Sequence, residues 1–170
     1  MAKEEYTDAI ALLKADHRKV EELFEQFSKA RDEDRKWSIA EQICNELKIH
    51  AMIEEEVFYP AIEDKIEEDM SNEAYVEHDG AKVLINDIMA NQGNDEFFEA
   101  KVTVLCEEIK HHVGEEERPG EGMFAQAREA GVDLVALRDR MLERKAELTE
   151  LAESGGLPPA ELTTMQLQPA

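Results

Sequence analysis

Cysteine, glycine, proline and basic side chains are all scarce in this 170-residue chain, and each shortage narrows what it can be. Two cysteines, Cys44 and Cys106, are too few for a disulfide framework or a zinc knuckle, and both read as free core thiols. Glycine and proline are thin until the C-terminal end, where Gly155, Gly156, Pro158 and Pro159 cluster, so little interrupts helix formers before that point. Lys and Arg number 19 against 41 Asp and Glu, a formal net charge of −22. That balance argues against nucleic acid, whose phosphates need clustered cations, and against docking on anionic lipid. No stretch approaches the run of about 18 apolar residues that a membrane-spanning helix requires. The first residues, Met-Ala-Lys-Glu-Glu, lack a signal-peptide layout, which with the unpaired thiols sets the expectation of a cytoplasmic protein.

What is present is a core: 42% of the residues are hydrophobic, enough for one domain of ordinary size. The apolar residues recur at three and four positions, the period of a helix, so the chain reads as all-α. Helices are expected over about Thr7–Ala30, Asp34–Glu68, Asn72–Ala90, Asp95–Glu117 and Val132–Glu153. Pro60 predicts a kink or a restart in the second. Asn91-Gln92-Gly93-Asn94 and Arg118-Pro119-Gly120-Glu121-Gly122 read as breaks. Short polar connections favour antiparallel neighbours, and the expected architecture is an up-down-up-down four-helix bundle with an additional C-terminal helix and tail. The division that follows is a bundle over 1–130, an extra helix over 131–153 packed on or beside it, and a tail over 154–170, loose or laid on the bundle.

The histidines do not suit a plain apolar core. At about 100° per residue, His50 and Glu54 each fall within about 20° of Ile43, inside the apolar stripe of the second helix. His112 and Glu116 stand in the same relation to Leu105 on the fourth, while His111 points to the flank. His17 shares a face with Leu13 and Phe24, and His78 with Ile85. A repeat underlies the set: 61 positions separate His17 from His78 and 62 separate His50 from His112, with an acid, Asp16 or Glu77, before each lead histidine. Burying two carboxylates without partners would cost several kcal/mol each, and few of the basic residues fall on these stripes. A pair of metal ions at the bundle centre accounts for the pattern, because imidazole and bridging carboxylate together suit iron. Glu55, Glu56, Glu115 and Glu117 read as a solvated acidic face, with Glu117 a rival to Glu116, and Tyr59 and Tyr75 read as core packing.

The segments Asp16-His17-Arg18, His50-Ala-Met-Ile-Glu54 with Val57-Phe-Tyr-Pro60, Glu77-His78-Asp79 and His111-His112-Val-Gly-Glu115-Glu116-Glu117 resemble the hemerythrin-like, HHE cation-binding family over about residues 6–130. The resemblance implies a bundle around two non-haem iron ions joined by an oxo or hydroxo bridge. Carried over by motif, His17, His50, His78 and His112 would be the imidazole ligands, and Glu54 and Glu116 the bridging carboxylates. The oxygen-carrying members have a further ligand histidine where this chain has Lys82, and an Asp five residues after the fourth-helix histidine where Glu116 stands at four. The pattern therefore resembles the four-His, two-Glu branch. The family's cluster-repairing branch carries a cysteine-containing region before the first helix, so that role is not expected here. What the resemblance implies is binding or reduction of a small ligand, namely oxygen, hydrogen peroxide or nitric oxide, with peroxidase- or catalase-like or nitric oxide-reducing activity. The alternatives are a sensor of oxygen, nitric oxide or iron without turnover, and an iron-handling protein. Lys82, one turn beyond His78, could hydrogen-bond a ligand on the metals, fill the missing histidine's place, or snorkel to the surface.

Overall fold

The computed structural model describes residues 5–168. Among them every regular element is helical. The order is α1 (Ala9–Lys29), α2 (Glu33–Ile53), a π-helical turn (Glu54–Phe58), α3 (Tyr59–Ile62), α4 (Glu68–Asn91), α5 (Phe98–Glu117), α6 (Met123–Glu129) and α7 (Leu134–Glu153). Three helices start on an aspartate whose side chain accepts an otherwise orphan amide: Asp8 from Ala11, Asp32 from Arg35 and Asp133 from Ala136. At the end of α4, Gln92 turns left-handed with φ 51° and Gly93 follows at 77°, the stop expected from Asn91–Asn94.

Several expectations need correction. The helix expected over Asp34–Glu68 ends at Ile62, and 63–67 form a turn before α4. Its irregularity also starts ahead of Pro60. The proline lacks the amide that would pair with Glu56, and its ring crowds that carbonyl. The chain responds by widening over Glu54–Phe58, and the Tyr59 amide bonds Glu54 O, five residues back. In addition, α6 forms over Met123–Glu129, between the expected break at Arg118–Gly122 and the expected last helix, where the sequence reading placed no element. The fourth long helix begins at Phe98 rather than Asp95, because Asp95 caps a turn onto the Phe97 amide.

Four of the five long helices pack in a ring, α1 on α2, α2 on α4, α4 on α5 and α5 on α1. Two apolar layers fill the interior. One, at one end, holds Val20, Phe24, Phe27, Ile39, Ile43, Ile85, Phe98 and Leu105. The other holds Ile10, Leu13, Ile53, Phe58, Ile62, Met123, Phe124, Leu137 and Met141, so α6 and α7 complete this core. Ion pairs fasten α7 along the bundle: Arg144 to Glu56 at 2.7 Å and Lys145 to Asp16. Cys44 lies in the first layer, where burial pushes its thiol up to about 12. The polar cluster sits among these layers.

Candidate metal centre

All six residues singled out on the helical stripes converge. His17, His50, His78, His112, Glu54 and Glu116 are all buried, Glu54 completely. Two overlapping groups form: Glu54, His78, His112 and Glu116, and His17, His50 and Glu116, each with its ligand-type atoms within 4.8 Å of one another. The imidazoles come in pairs, His17 with His50 at 4.9 Å between ring centroids and His78 with His112 at 4.7 Å.

The carboxylates lie between the pairs. Glu54 Oε1 is 2.9 Å from His50 Nε2 and 3.3 Å from His78 Nε2. Glu116 reaches His17 Nε2 with Oε2 at 3.2 Å and His112 Nε2 with Oε1 at 3.1 Å. Glu117 lies outside this group: it takes His17 Nδ1 and the Arg18 guanidinium.

Every ligand-type histidine is held from behind by an acid. Asp16 Oδ2 lies 3.1 Å from His50 Nδ1, Glu55 Oε2 3.0 Å from His78 Nδ1, Glu77 Oε2 2.8 Å from His112 Nδ1, and Glu117 Oε2 2.7 Å from His17 Nδ1. The acids thus fix each ring with Nε2 directed inward and Nδ1–H outward, the orientation that carboxylates impose on metal-binding histidines. The repeat in the sequence is now explained. The acid before each lead histidine serves the next helix, and the acid after each bridging-type glutamate serves the helix beyond. Glu55 and Glu117, read from the sequence as solvated, are therefore part of the site. The signal was present: both follow the inward glutamate of a His-x-x-x-Glu-Glu repeat. Glu56 and Glu115 do remain outside, paired with Arg144 and Arg118.

Tyr59 was likewise read as packing, and its ring is buried. Its hydroxyl donates to Glu116 Oε1 at 2.7 Å and lies 3.1 Å from His78 Nε2 and 3.3 Å from His112 Nε2. In a regular helix Tyr59 would lie about 140° around the axis from Glu54. The wider π turn brings it back toward Glu54, which the sequence period could not show.

Electrostatics follow from burial and these pairings. Burial opposes charge on His50, but Glu54 and Asp16 outweigh it and raise its pKa to about 10. Against the same penalty, Glu116 and Glu117 raise His17, and Glu116 and Glu77 raise His112 well above the ordinary value. Burial would lift Glu116, yet His112 and His17 hold it well below the carboxylate range. Burial and then the charges of Glu116 and Glu54 push Tyr59 far up, so it stays a phenol and a donor.

The residues fit a metal. His17 Nε2, His50 Nε2, both oxygens of Glu54 and Glu116 Oε2 are buried, and although the imidazole nitrogens and carboxylate oxygens crowd to 2.9 and 3.2 Å, none makes a well-directed hydrogen bond among the described residues. Five buried ligand-type atoms that face one another without well-formed hydrogen bonds are costly in a protein core, and such convergence is the pattern expected of cation ligands. The mixed nitrogen and oxygen donor set suits iron or a neighbouring transition metal.

Lys82 touches no histidine. Its Nζ lies 2.8 Å from Glu55 Oε2, the same oxygen that holds His78, and also reaches Asp79 and Thr163. His111 lies on the flank with its side chain 68% exposed. The C-terminal segment lies over the bundle rather than loose. Asp79 accepts the amides of Thr163, Thr164 and Met165 and the Thr164 hydroxyl, and Asn86 exchanges two bonds with Ala160. Burial would raise Asp79, but those amides hold it well below the usual range. Between this segment and α1, α2, α4 and α5 lies a cavity of about 590 Å³ that all four histidines line. On the opposite side Phe124 of α6 stacks on His17, with centroids 5.9 Å apart.

A ring of helices with inward imidazoles, carboxylates between them and acids behind them defines a helical cation-binding domain. The family comparison agrees. A model described as the hemerythrin HHE cation binding domain matches residues 8–119, and the chain belongs to that family. Among curated proteins it is similar to one described as DNA nickase from Nostoc sp. (strain PCC 7120 / SAG 25.82 / UTEX 2576). The two are 31% identical over 106 residues, 62% of this chain and 30% of the relative. The chain thus spans less than a third of that relative's length. No solved structure matches the chain. Among the described residues no helix is long and apolar enough to cross a membrane.

Proposed function

We propose that this domain holds two iron ions on His17, His50, Glu54, His78, His112 and Glu116, and binds or reduces a small oxidant, namely oxygen, hydrogen peroxide or nitric oxide. The observation that carries the reading is the placement of Glu54 and Glu116, each within 3.3 Å of one histidine from either pair. Carboxylates so placed suit a bridge between two cations. When bound, the iron pair would supply one-electron steps between ferrous and ferric states and coordination positions open to a small ligand.

The chain's own residues do the rest. Asp16, Glu55, Glu77 and Glu117 fix the rings and raise the basicity of the imidazoles. Tyr59 keeps a proton beside Glu116, 2.7 Å away, where a reduced ligand would need one. This reading takes α1, α2, α4 and α5 as an up-down-up-down bundle, supported by consecutive helices exchanging a histidine and a carboxylate around the ring. The similarity to a DNA nickase covers under a third of that protein, and a net charge of −22 opposes contact with a phosphate backbone, so we assign no action on nucleic acid.

Metal analysis and the visible spectrum of air-purified protein test the proposal. Two irons per chain, with charge-transfer bands that bleach with dithionite and return with peroxide or air, are expected. Zinc alone, or a stably folded protein that takes up no iron, overturns it.

A further inference from the structure

The cavity beside the histidines is far too large for the small ligands considered above. At about 590 Å³ it compares with the roughly 30 Å³ that one water occupies in the liquid. It falls within the range of about 300–1,000 Å³ that houses organic ligands. Much of its wall is apolar, with Val20, Leu47, Met52, Ala81, Ile85 and Ile109 among the lining residues, and the segment from Pro158 to Thr164 roofs it.

One charge in that wall is out of keeping with the rest. Lys48 is 5% exposed, and its Nζ reaches the Leu157 carbonyl at 3.5 Å, the outer limit of a hydrogen bond. The other lysine of the wall, Lys82, pairs with Glu55 and Asp79. The acids of the wall are already engaged: Asp16 by His50 and Lys145, Glu55 by His78 and Lys82, Glu56 by Arg144. Glu161, the remaining acid, is exposed. In a chain with 41 acidic residues, a buried lysine with no carboxylate within 4.0 Å among the described residues stands alone at this site. A buried cation without a counter-ion is costly, and an anionic ligand would remove that cost.

We propose that this cavity is a binding site for an organic carboxylate with an apolar body, its acid group on Lys48 Nζ and its body along Leu47, Met52, Ala81 and Ile85 beside the histidine cluster. The roof from Pro158 to Thr164 encloses the ligand, and the Leu157 carbonyl gives up its long contact with Lys48. The chemistry selects against neutral and cationic amphiphiles of the same length. It does so although the net charge of −22 draws cations to the surface, so selectivity for the anion has to come from the cavity. The inference concerns binding, and it holds whether or not the centre carries iron.

Calorimetric titration of the full-length chain with decanoate tests it, with iron content measured on each sample so that failure of the metal assignment is seen separately. Decanoate is expected to bind saturably at one per chain. Lys48→Met should weaken it about tenfold or more, and Lys48→Arg should retain it. Decanol should bind more weakly and respond little to Lys48→Met, and decyltrimethylammonium should not gain from Lys48. Ala51→Phe, which fills the cavity from α2, should abolish decanoate binding and keeps the test decisive if Lys48→Met does not fold. No saturable decanoate binding, or affinity unchanged in Lys48→Met or in Ala51→Phe, overturns the proposal.

Discussion

Glu117 Oε2 lies 2.7 Å from His17 Nδ1 across 100 positions of sequence, and this contact closes a ring. Asp16 of α1 holds His50 of α2, Glu55 of the π turn holds His78 of α4, Glu77 of α4 holds His112 of α5, and Glu117 of α5 returns to α1. Each helix of the ring therefore presents one imidazole inward and steadies the next.

Breaking one link of the ring should cost metal affinity more than fold. Glu117→Gln leaves His17 without its anionic acceptor, and iron affinity should fall about 10- to 100-fold with helical content unchanged. A competition titration against a chelator, paired with circular dichroism, measures both. Unchanged affinity would show that the His17 ring is oriented by packing on Phe124 alone.

The raised histidines couple metal binding to pH. His50 titrates near 10 in the metal-free protein, against an ordinary value of 6.5, and His17 and His112 are raised as well. A ligand histidine must be neutral, so metal binding should release protons, and affinity should fall as pH drops. The stability sign is opposite for the metal-free chain. A pKa raised on folding contributes stability below about 6.5 that is lost as pH climbs toward 10. Melting temperatures of the metal-free protein should therefore decline from pH 6.5 to 10. Calorimetry in buffers of different ionisation heat counts the protons.

Tyr59→Phe removes the donor to Glu116 and leaves a buried carboxylate oxygen short of a partner. The cost should be about 1–3 kcal/mol in denaturant unfolding of the metal-free protein. With iron bound, the variant should show shifted charge-transfer bands and slower reaction with peroxide. A variant identical in stability and spectrum would remove Tyr59 from the site.

Gly122 caps α6 and folds back on the end of α5, its amide donating to the Arg118 carbonyl at 2.8 Å. A Cβ there would sit 2.7 Å from Arg118 N and 2.8 Å from Arg118 O and Glu115 O, backbone atoms that cannot swing aside. Gly122→Ala should push α6 away and loosen Phe124 from His17, at about 1–3 kcal/mol. Unfolding midpoints report the loss, and the His17 ring signals report the displacement.

Asp79 anchors the C-terminal segment through three amides and a hydroxyl. Asp79→Ala should sharply reduce hydrogen-exchange protection at Thr163, Thr164 and Met165 while the amides of α1 and α2 keep theirs. Protection unchanged at those three positions would mean that another contact holds the roof.

The long helices, though not all their ends, their inward faces and the six convergent ligand-type residues were legible in the sequence, and α6 was not. A period of 3.6 places each residue on its own helix, and a buried carboxylate on an apolar stripe needs a partner that the stripe does not supply. Tertiary structure decided what the period cannot encode. Glu55 and Glu117 are exposed or buried according to the neighbouring helix, and only the closed ring turns them toward His78 and His17. Tyr59 reaches the cluster because Pro60 widens the turn before it, a local break in the period itself. The segment after α7 has no periodicity to read, and its place over the cavity rests on Asp79 and Asn86 of α4, 74–86 positions away in sequence. Such contacts depend on how elements meet in space, and no single element's pattern carries that information.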